Sequence, residues 1–330
     1  QRLAYDEILA NFLVLSQVRK KIKKIKKKNK NFDKFLFDKI KDNFNFTLTS
    51  NQEKIVKEIN TDLKSTYRMF RLLQGDVGSG KTIVSFIAAA NVIRSNFQVA
   101  LMVPTEILAK QHYDLATKIF KSSNVIIKLL TGKSEYKDKK IISKDLVNGK
   151  INFLIGTHSL FQKNIVFKKL GLVIIDEQHK FGVKQRIDLA NKGGKDCDIL
   201  LMTATPIPRT LMLTVFGDMD VSKLVEKPSN RKAIVTLSKP EKKIDEVISY
   251  IKNEINNKSQ VFWVCPLIEE SKKLDYEAAE KKYKQLSKIF SEKVGLIHGS
   301  LSKNEKNDVL NKFLTKSINI LVSTTVIEVG

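Results

Sequence analysis

Gly75, Asp76, Val77, Gly78, Ser79, Gly80, Lys81 and Thr82 run consecutively and fit the pattern G-x-x-x-x-G-K-[ST]. Each residue type has a physical task there. Glycines let the backbone turn tightly and aim successive N–H groups at one anion. Lys81 adds a full positive charge for outer phosphates, and the Thr82 hydroxyl is placed to ligate Mg2+. A second chemical cluster, Asp176-Glu177-Gln178-His179, follows four apolar residues roughly a hundred positions later. Asp176 there can hold Mg2+, usually through water, and Glu177 can orient a water for attack on a terminal phosphate. An acidic pair at a strand end also suits a helix cap, but its place after a phosphate loop favours the hydrolytic reading. Gln178 and His179 can bond the terminal phosphate or relay its loss to Thr203-Ala204-Thr205. Upstream, Gln52 can read an adenine edge with an amide that both donates and accepts, which points to ATP.

These groups need a scaffold, and the surrounding pattern supplies one. Residues 69–73 read as a strand running into the loop, and residues 83–93 as an apolar, Ala-rich helix whose amino end adds its dipole to an anion site. Thr49 or Ser50 is placed to cap a helix over 52–63. Short apolar strands at 99–103, 125–130, 151–155, 172–175 and 199–202 alternate with helices at 106–120 and 136–148. Such alternation gives a parallel sheet with helices on both faces, and ligands at the carboxyl ends of the strands. The polar clusters fall at those ends: Pro104-Thr105, Gly156-Thr157-His158, Asp176-Glu177 and Thr203-Ala204-Thr205. Prolines punctuate the chain after Thr205, and 226–239 reads as a connection to a second α/β lobe. That lobe has helices at 244–255, 274–290 and 305–313 and strands at 261–265, 295–298 and 318–322.

Composition narrows the class. The 330 residues carry 59 Lys and Arg against 35 Asp and Glu, a net charge of +24, and 42% are hydrophobic. The length fits two domains with room for substantial cores. The charge favours a polyanion, nucleic acid being the commonest, although a composition rich in Lys, Asn and Ile accounts for part of it. Residues 20–30 are lysine except for Ile22, Ile25 and Asn29. Together with the helical spacing over 1–18 they predict a helix running to about Lys30, a basic rod that either touches a phosphate backbone or is a solvated face. Cys197 and Cys265 lie far apart without a CxxC partner, which argues against a zinc site or disulfide framework and for a reduced, cytoplasmic setting. No apolar run reaches the roughly 18 residues of a membrane span.

On the strings Leu72 to Thr82, Pro104 to His112, Leu130-Thr131-Gly132, Gly156-Thr157-His158, Asp176 to Arg186, Met202 to Thr210, Phe262 to Ser271, His298-Gly299 and Val322 to Gly330, the chain resembles superfamily 2 helicases. More closely it is similar to the RecG-type ATP-dependent DNA helicases, which remodel stalled forks and Holliday junctions in recombination and repair. Transcription-repair coupling translocases of the Mfd type share Thr-Ala-Thr-Pro-Ile-Pro-Arg-Thr. They usually carry Phe in place of Ser79, and Asp-Glu-Glu-His where Gln178 stands here. An RNA helicase would more often read Asp-Glu-Ala-Asp, and a nucleotide switch without turnover has little reason to keep both Lys81 and Glu177.

The resemblance implies two tandem RecA-like P-loop lobes, 43–228 and an incomplete 229–330, after a helical linker at 1–42 from a wedge domain that this chain lacks. It implies a monomer that uses ATP and Mg2+ to translocate on double-stranded and branched DNA, with single-stranded DNA-binding protein as a candidate partner and no membrane. Thr105, Gly132 and Thr157 would contact a DNA backbone, and Thr203 and Thr205 would couple hydrolysis to movement. Thr324 and Glu328 would belong to a second-lobe motif that senses nucleotide and DNA. The family's arginine motif would follow Gly330, so this length of chain is expected to bind ATP but to hydrolyse it poorly.

Overall fold

Side chains alternate along a strand, so an unbroken apolar strand must be covered on both faces. The first lobe meets that condition. The structure is a computed structural model that describes residues 9, 26–33, 40, 43, 47–177, 192–205, 219–226, 234–265, 272–299 and 301–324. After α1 (Ser50–Lys64) come β1 (Phe70–Gly75), α2 (Lys81–Arg94), β2 (Gln98–Met102), α3 (Glu106–Ile119), β3 (Ile127–Leu130) and α4 (Tyr136–Val147). They are followed by β4 (Phe153–Gly156), β5 (Leu170–Ile175), β6 (Asp198–Thr203) and β7 (Asp220–Leu224). The described strands form one seven-stranded sheet in the order β3-β4-β2-β5-β6-β1-β7, with every neighbouring pair parallel.

Neighbouring residues in a strand divide between two cores. Leu73, Leu101, Phe153, Ile155, Ile174 and Leu200 pack against α1, α2 and α3. Leu72, Met102, Leu154, Val173, Ile175 and Leu201 face the side covered by Ile142 and Leu146 of α4. The helix after the phosphate loop is buried on nearly all sides, which explains its Ala-rich, charge-poor sequence. Phe86, Phe120 and Phe153 meet there at ring-centroid separations of 5.8–6.3 Å. At the start of α1, Thr49 Oγ1 accepts the Gln52 N–H and the Gln52 side chain returns to the Thr49 N–H, a capping box.

Two features depart from the sequence reading. Strand β7 was not anticipated, because only Ser222 and Leu224 of its five residues are buried. It is held to the sheet partly by Arg71, whose guanidinium donates to Ser222 Oγ at 2.7 Å and pairs with Glu58 and Asp62 at 3.1 and 2.8 Å. The predicted basic helix does not extend to Lys30. Residues 27–33 have no regular structure, and Lys26 forms an isolated antiparallel bridge with Tyr67. Two of the lysines read as a surface charge run lie in the interior. Lys27 Nζ sits 2.8 and 2.7 Å from the two Asp198 carboxylate oxygens, and Lys30 Nζ sits 2.6 Å from Oδ2. All three side chains are fully buried. The Met69 N–H donates to the same carboxylate at 2.7 Å, and the carbonyls of Asp62, Leu63 and Asp196 take remaining ammonium protons.

The chain divides into two compact units, Gln1–Lys232 and Ala233–Gly330. In the second, α5 (Ile244–Asn256), β8 (Val261–Val264), α6 (Lys272–Phe290), β9 (Val294–Ile297), α7 (Lys303–Leu314) and β10 (Ile320–Ser323) alternate. Its parallel sheet has the order β8-β10-β9, with Ile251, Ile255, Leu286, Phe290, Ile320 and Val322 in its core. Among the described residues no helix is long and apolar enough to cross a membrane.

Removing one partner of a buried ion pair strands the other charge, at a cost of about 3–5 kcal/mol. Asp198→Ala is therefore expected to lower unfolding free energy in urea by about that amount. A loss under about 1 kcal/mol, the worth of an exposed pair, would contradict the buried cluster.

Candidate active site

β1, next to the edge strand β7, delivers the chain to the sheet's carboxyl edge, and α2 leaves it one short loop later. Two glycines make that loop. Gly78 has φ +74° and Gly80, at the amino cap of α2, has φ +93°, both in the left-handed region. No side chain caps α2, and although the Ile83 N–H turns back to Gly80 O at 3.1 Å, the N–H groups of Lys81 and Thr82 are left for an anion. Ser79 Oγ is buried without a hydrogen-bond partner among the described residues. An uncapped helix start, a glycine turn and an orphaned buried hydroxyl are what a bound phosphate would complete, so the residues fit a nucleotide.

Lys81, the first residue of α2, is buried. Its Nζ donates to the carbonyls of Gly75 at 2.6 Å and Asp76 at 3.0 Å. Burial lowers its pKa, and the charges of Asp176, then Glu177 and Asp76, oppose that shift. A phosphate would take over the role of those carbonyls and carboxylates in balancing the ammonium. Thr82 follows one residue into α2. Asp76 and Val77 are exposed at the tip of the loop.

β6 lies between β1 and β5, so Asp176 and Glu177, directly after β5, share the edge with the loop. Asp176 is held firmly. Its N–H donates to Met102 O at 2.9 Å, its Oδ1 accepts the Glu177 N–H at 3.0 Å, and its Oδ2 lies 3.0 Å from His112 Nε2. One lone pair on each oxygen remains for a water of a hydrated Mg2+. Glu177 has φ +45°, an uncommon conformation for a residue with a side chain and one that costs on the order of 1 kcal/mol. Its Oε2 accepts the Ala204 N–H at 3.5 Å. Thr203 and Thr205 share a hydroxyl contact of 2.8 Å, and Gln74 Nε2 donates to Thr205 O at 3.3 Å. The ends of β5, β6 and β1 are thus tied in series. Gln178, His179 and Glu328 lie outside the described residues.

Gln52 occupies a position that its sequence did not reveal. Beyond closing the capping box, its Nε2 donates to Ser79 O at 2.8 Å, so it pins the phosphate loop to α1. A methyl group on Gly80 would collide with that same amide nitrogen.

Thr105, Gly132 and Thr157 fall at the ends of β2, β3 and β4, the other half of the edge. Thr105 Oγ1 caps α3 by accepting the Leu108 N–H at 3.3 Å. Gly132 O accepts from Lys139 Nζ at 2.9 Å, and the space beside its Cα is bounded by Glu106 and His158. Thr157 is buried, its hydroxyl 3.4 Å from Ser159 Oγ. Thr324 follows β10 in the second unit and is buried. Sequence reasoning passed over His112. Its signal was the stripe Ala109, His112, Ala116, Ile119, an inward face of α3 with one polar member.

Gly80→Ala is expected to cost more than about 1 kcal/mol, since the new residue must adopt φ > 0 against Gln52. Adding Gln52→Ala removes the collision but not the backbone penalty. Measured against Gln52→Ala alone, which itself loses the Thr49 and Ser79 hydrogen bonds, thermal unfolding should show a smaller but still nonzero cost of Gly80→Ala, and no cost in that background would show that φ is unimportant.

Comparison with known proteins agrees with this geometry. The family model described as DEAD/DEAH box helicase matches residues 49–214, and the one described as helicase conserved C-terminal domain matches 242–330. ATP-dependent DNA helicase RecG of Bacillus subtilis is 50% identical over 287 residues, which cover 86% of this chain and 42% of that protein. RecG of Thermotoga maritima is 45% identical over 332 aligned residues, covering 100% of this chain and 42% of that protein. A solved structure of RecG bound to a three-way DNA junction superposes with a TM-score of 0.81 at 42% identity, covering 100% of this chain and 43% of that one. The chain therefore spans about two-fifths of the length of the curated relatives it matches.

Proposed function

Because this chain belongs to the DEAD/DEAH box helicases, in their RecG-type branch, we propose that it is the motor region of an ATP-driven DNA helicase that translocates on duplex DNA and remodels branched DNA. The observation that carries this reading is the tie between adjacent strand ends. The phosphate loop, Asp176-Glu177 and Thr203-Thr205 stand on β1, β5 and β6, joined by the Gln74–Thr205 and Glu177–Ala204 hydrogen bonds.

In this reading the loop N–H groups and Lys81 hold the phosphates, and Gln52 lies close enough to serve the base. Thr82 and Asp176 would hold Mg2+, which neutralises charge building on the transferred phosphoryl group. Glu177 orients the attacking water and can accept its proton. The Glu177 carboxylate also touches the Ala204 N–H, so a change at the terminal phosphate has a direct route to Thr203 and Thr205. Nucleic acid is assigned to the half of the edge at Thr105, Gly132 and Thr157. A motor that steps along any sequence must grip phosphates rather than base edges, which suits threonine hydroxyls and backbone groups. The choice of branched DNA rests on likeness to the protein solved on a three-way junction.

In the full-length protein that carries this region, ATP turnover should rise most with forked DNA, less with linear duplex and least with RNA. Equal or greater stimulation by RNA would overturn the DNA reading, and nucleotide binding without turnover on any nucleic acid would leave a switch. Lys81→Ala should abolish nucleotide-dependent activity while DNA affinity keeps its steep fall with salt.

A further inference from the structure

The two halves of the carboxyl edge meet where β2 pairs with β5, and α3, which packs on β3 and β4, reaches Asp176 at the end of β5 through His112. Its amino end lies among the loops after β2 and β3, where Thr105 caps it and Glu106 pairs with Lys133 at 3.1 Å. Two turns on, about 10 Å along the axis at 1.5 Å per residue, the same helix carries His112. His112 Nε2 lies 3.0 Å from Asp176 Oδ2, with both side chains nearly buried. The ring also stands edge-on to Phe86 at a centroid distance of 6.3 Å. Phe86 is one turn beyond Thr82 on α2, the helix that begins at the phosphate loop.

We propose that His112 is a positioning residue that couples nucleic acid held at the amino end of α3 to the Asp176 carboxylate, and through it to Mg2+–nucleotide binding. This rests on the assignment above of which half of the edge takes DNA. The argument is mechanical. An α-helix moves as a rigid rod over two turns, so a shift of its amino end is carried to His112. Asp176 has both oxygens committed, Oδ1 to the Glu177 N–H and Oδ2 to the imidazole. Moving the imidazole must either turn that carboxylate or break its hydrogen bond. Phe86 limits the alternative in which the ring simply swings aside. A packing role alone would be served by an apolar residue in the Ala109–Ala116–Ile119 stripe. The imidazole instead supplies a directed donor to the group that would hold hydrated Mg2+.

The test is a coupling measurement rather than a rate. Affinity for a fluorescent ATP analogue with Mg2+ is measured with and without saturating duplex DNA. Two affinities differing at least about fivefold are expected for the natural sequence, the low end of typical coupling. His112→Leu should bring that ratio close to one whatever it does to nucleotide affinity in the absence of DNA, because the ratio compares the variant with itself. His112→Gln places an amide nitrogen near the Nε2 position and should restore most of the ratio, whereas His112→Asn is too short and should not. If the leucine variant does not fold, the contrast between Gln and Asn decides alone. An undiminished ratio in His112→Leu or His112→Asn, or no coupling in the natural sequence, overturns the proposal. Failure of the natural sequence to bind the nucleotide refutes the functional reading instead.

Discussion

All seven described strands of the first lobe run the same way, so their carboxyl ends open on one edge, and that constraint organises the lobe. A parallel sheet needs a crossover between successive strands, and those from β1 to β2, β2 to β3 and β3 to β4 are the helices α2, α3 and α4, which cover both faces. The edge is then the one place where polar residues on many strands can meet without breaking a core. Strand order decides which of them meet. With β6 between β5 and β1, an acidic pair roughly a hundred residues from the phosphate loop becomes its close neighbour. The order also places the three backbone-contact candidates together on β2, β3 and β4, beside the nucleotide half rather than mixed with it.

The opposite edge has a different problem. Amino ends of buried strands leave N–H groups and incoming chain to be satisfied, and here one carboxylate does much of it. Asp198 accepts from the Met69 N–H and from two ammonium groups of the preceding segment. Desolvating two lysines and one aspartate is expensive. The surrounding carbonyls of Asp62, Leu63 and Asp196 offset part of that cost by filling the remaining ammonium valences. The residues before the helicase core are therefore fixed to β6 at its amino end, while Thr203 and Thr205 lie at the carboxyl end of the same strand. Two lysines are also subtracted from the charge open to a polyanion.

How legible this was in the sequence followed from whether the signal was local. The phosphate loop could be read because its function depends on consecutive backbone geometry, and Gly80 at φ +93° is that geometry. The central strands could be read because burial on both faces leaves an apolar run. β7 could not, because an edge strand with polar Ser222 anchored by Arg71 leaves no such run. Lys27 and Lys30 were indistinguishable from their neighbours, since only Asp198, some 170 positions away, makes them interior residues. The helical stripe announced that His112 faces inward, but not that a carboxylate waits there.

Gln52 shows how a correct local reading can miss the role of a side chain. Its amide has two acceptor sites and two donor hydrogens. One acceptor takes the Thr49 N–H and one donor serves Ser79 O, so the amide bridges the start of α1 to the phosphate loop. Half of its capacity remains, one donor and one lone pair, which is the pattern an adenine edge requires. An adenine bound there would engage an amide already fixed in orientation by its other two bonds, so little side-chain entropy would be lost on contact. The same rigidity means that base and phosphate recognition are not independent. Any strain on the amide from the base side is transmitted to the Ser79 carbonyl, one residue before the glycine that sets the conformation of the loop.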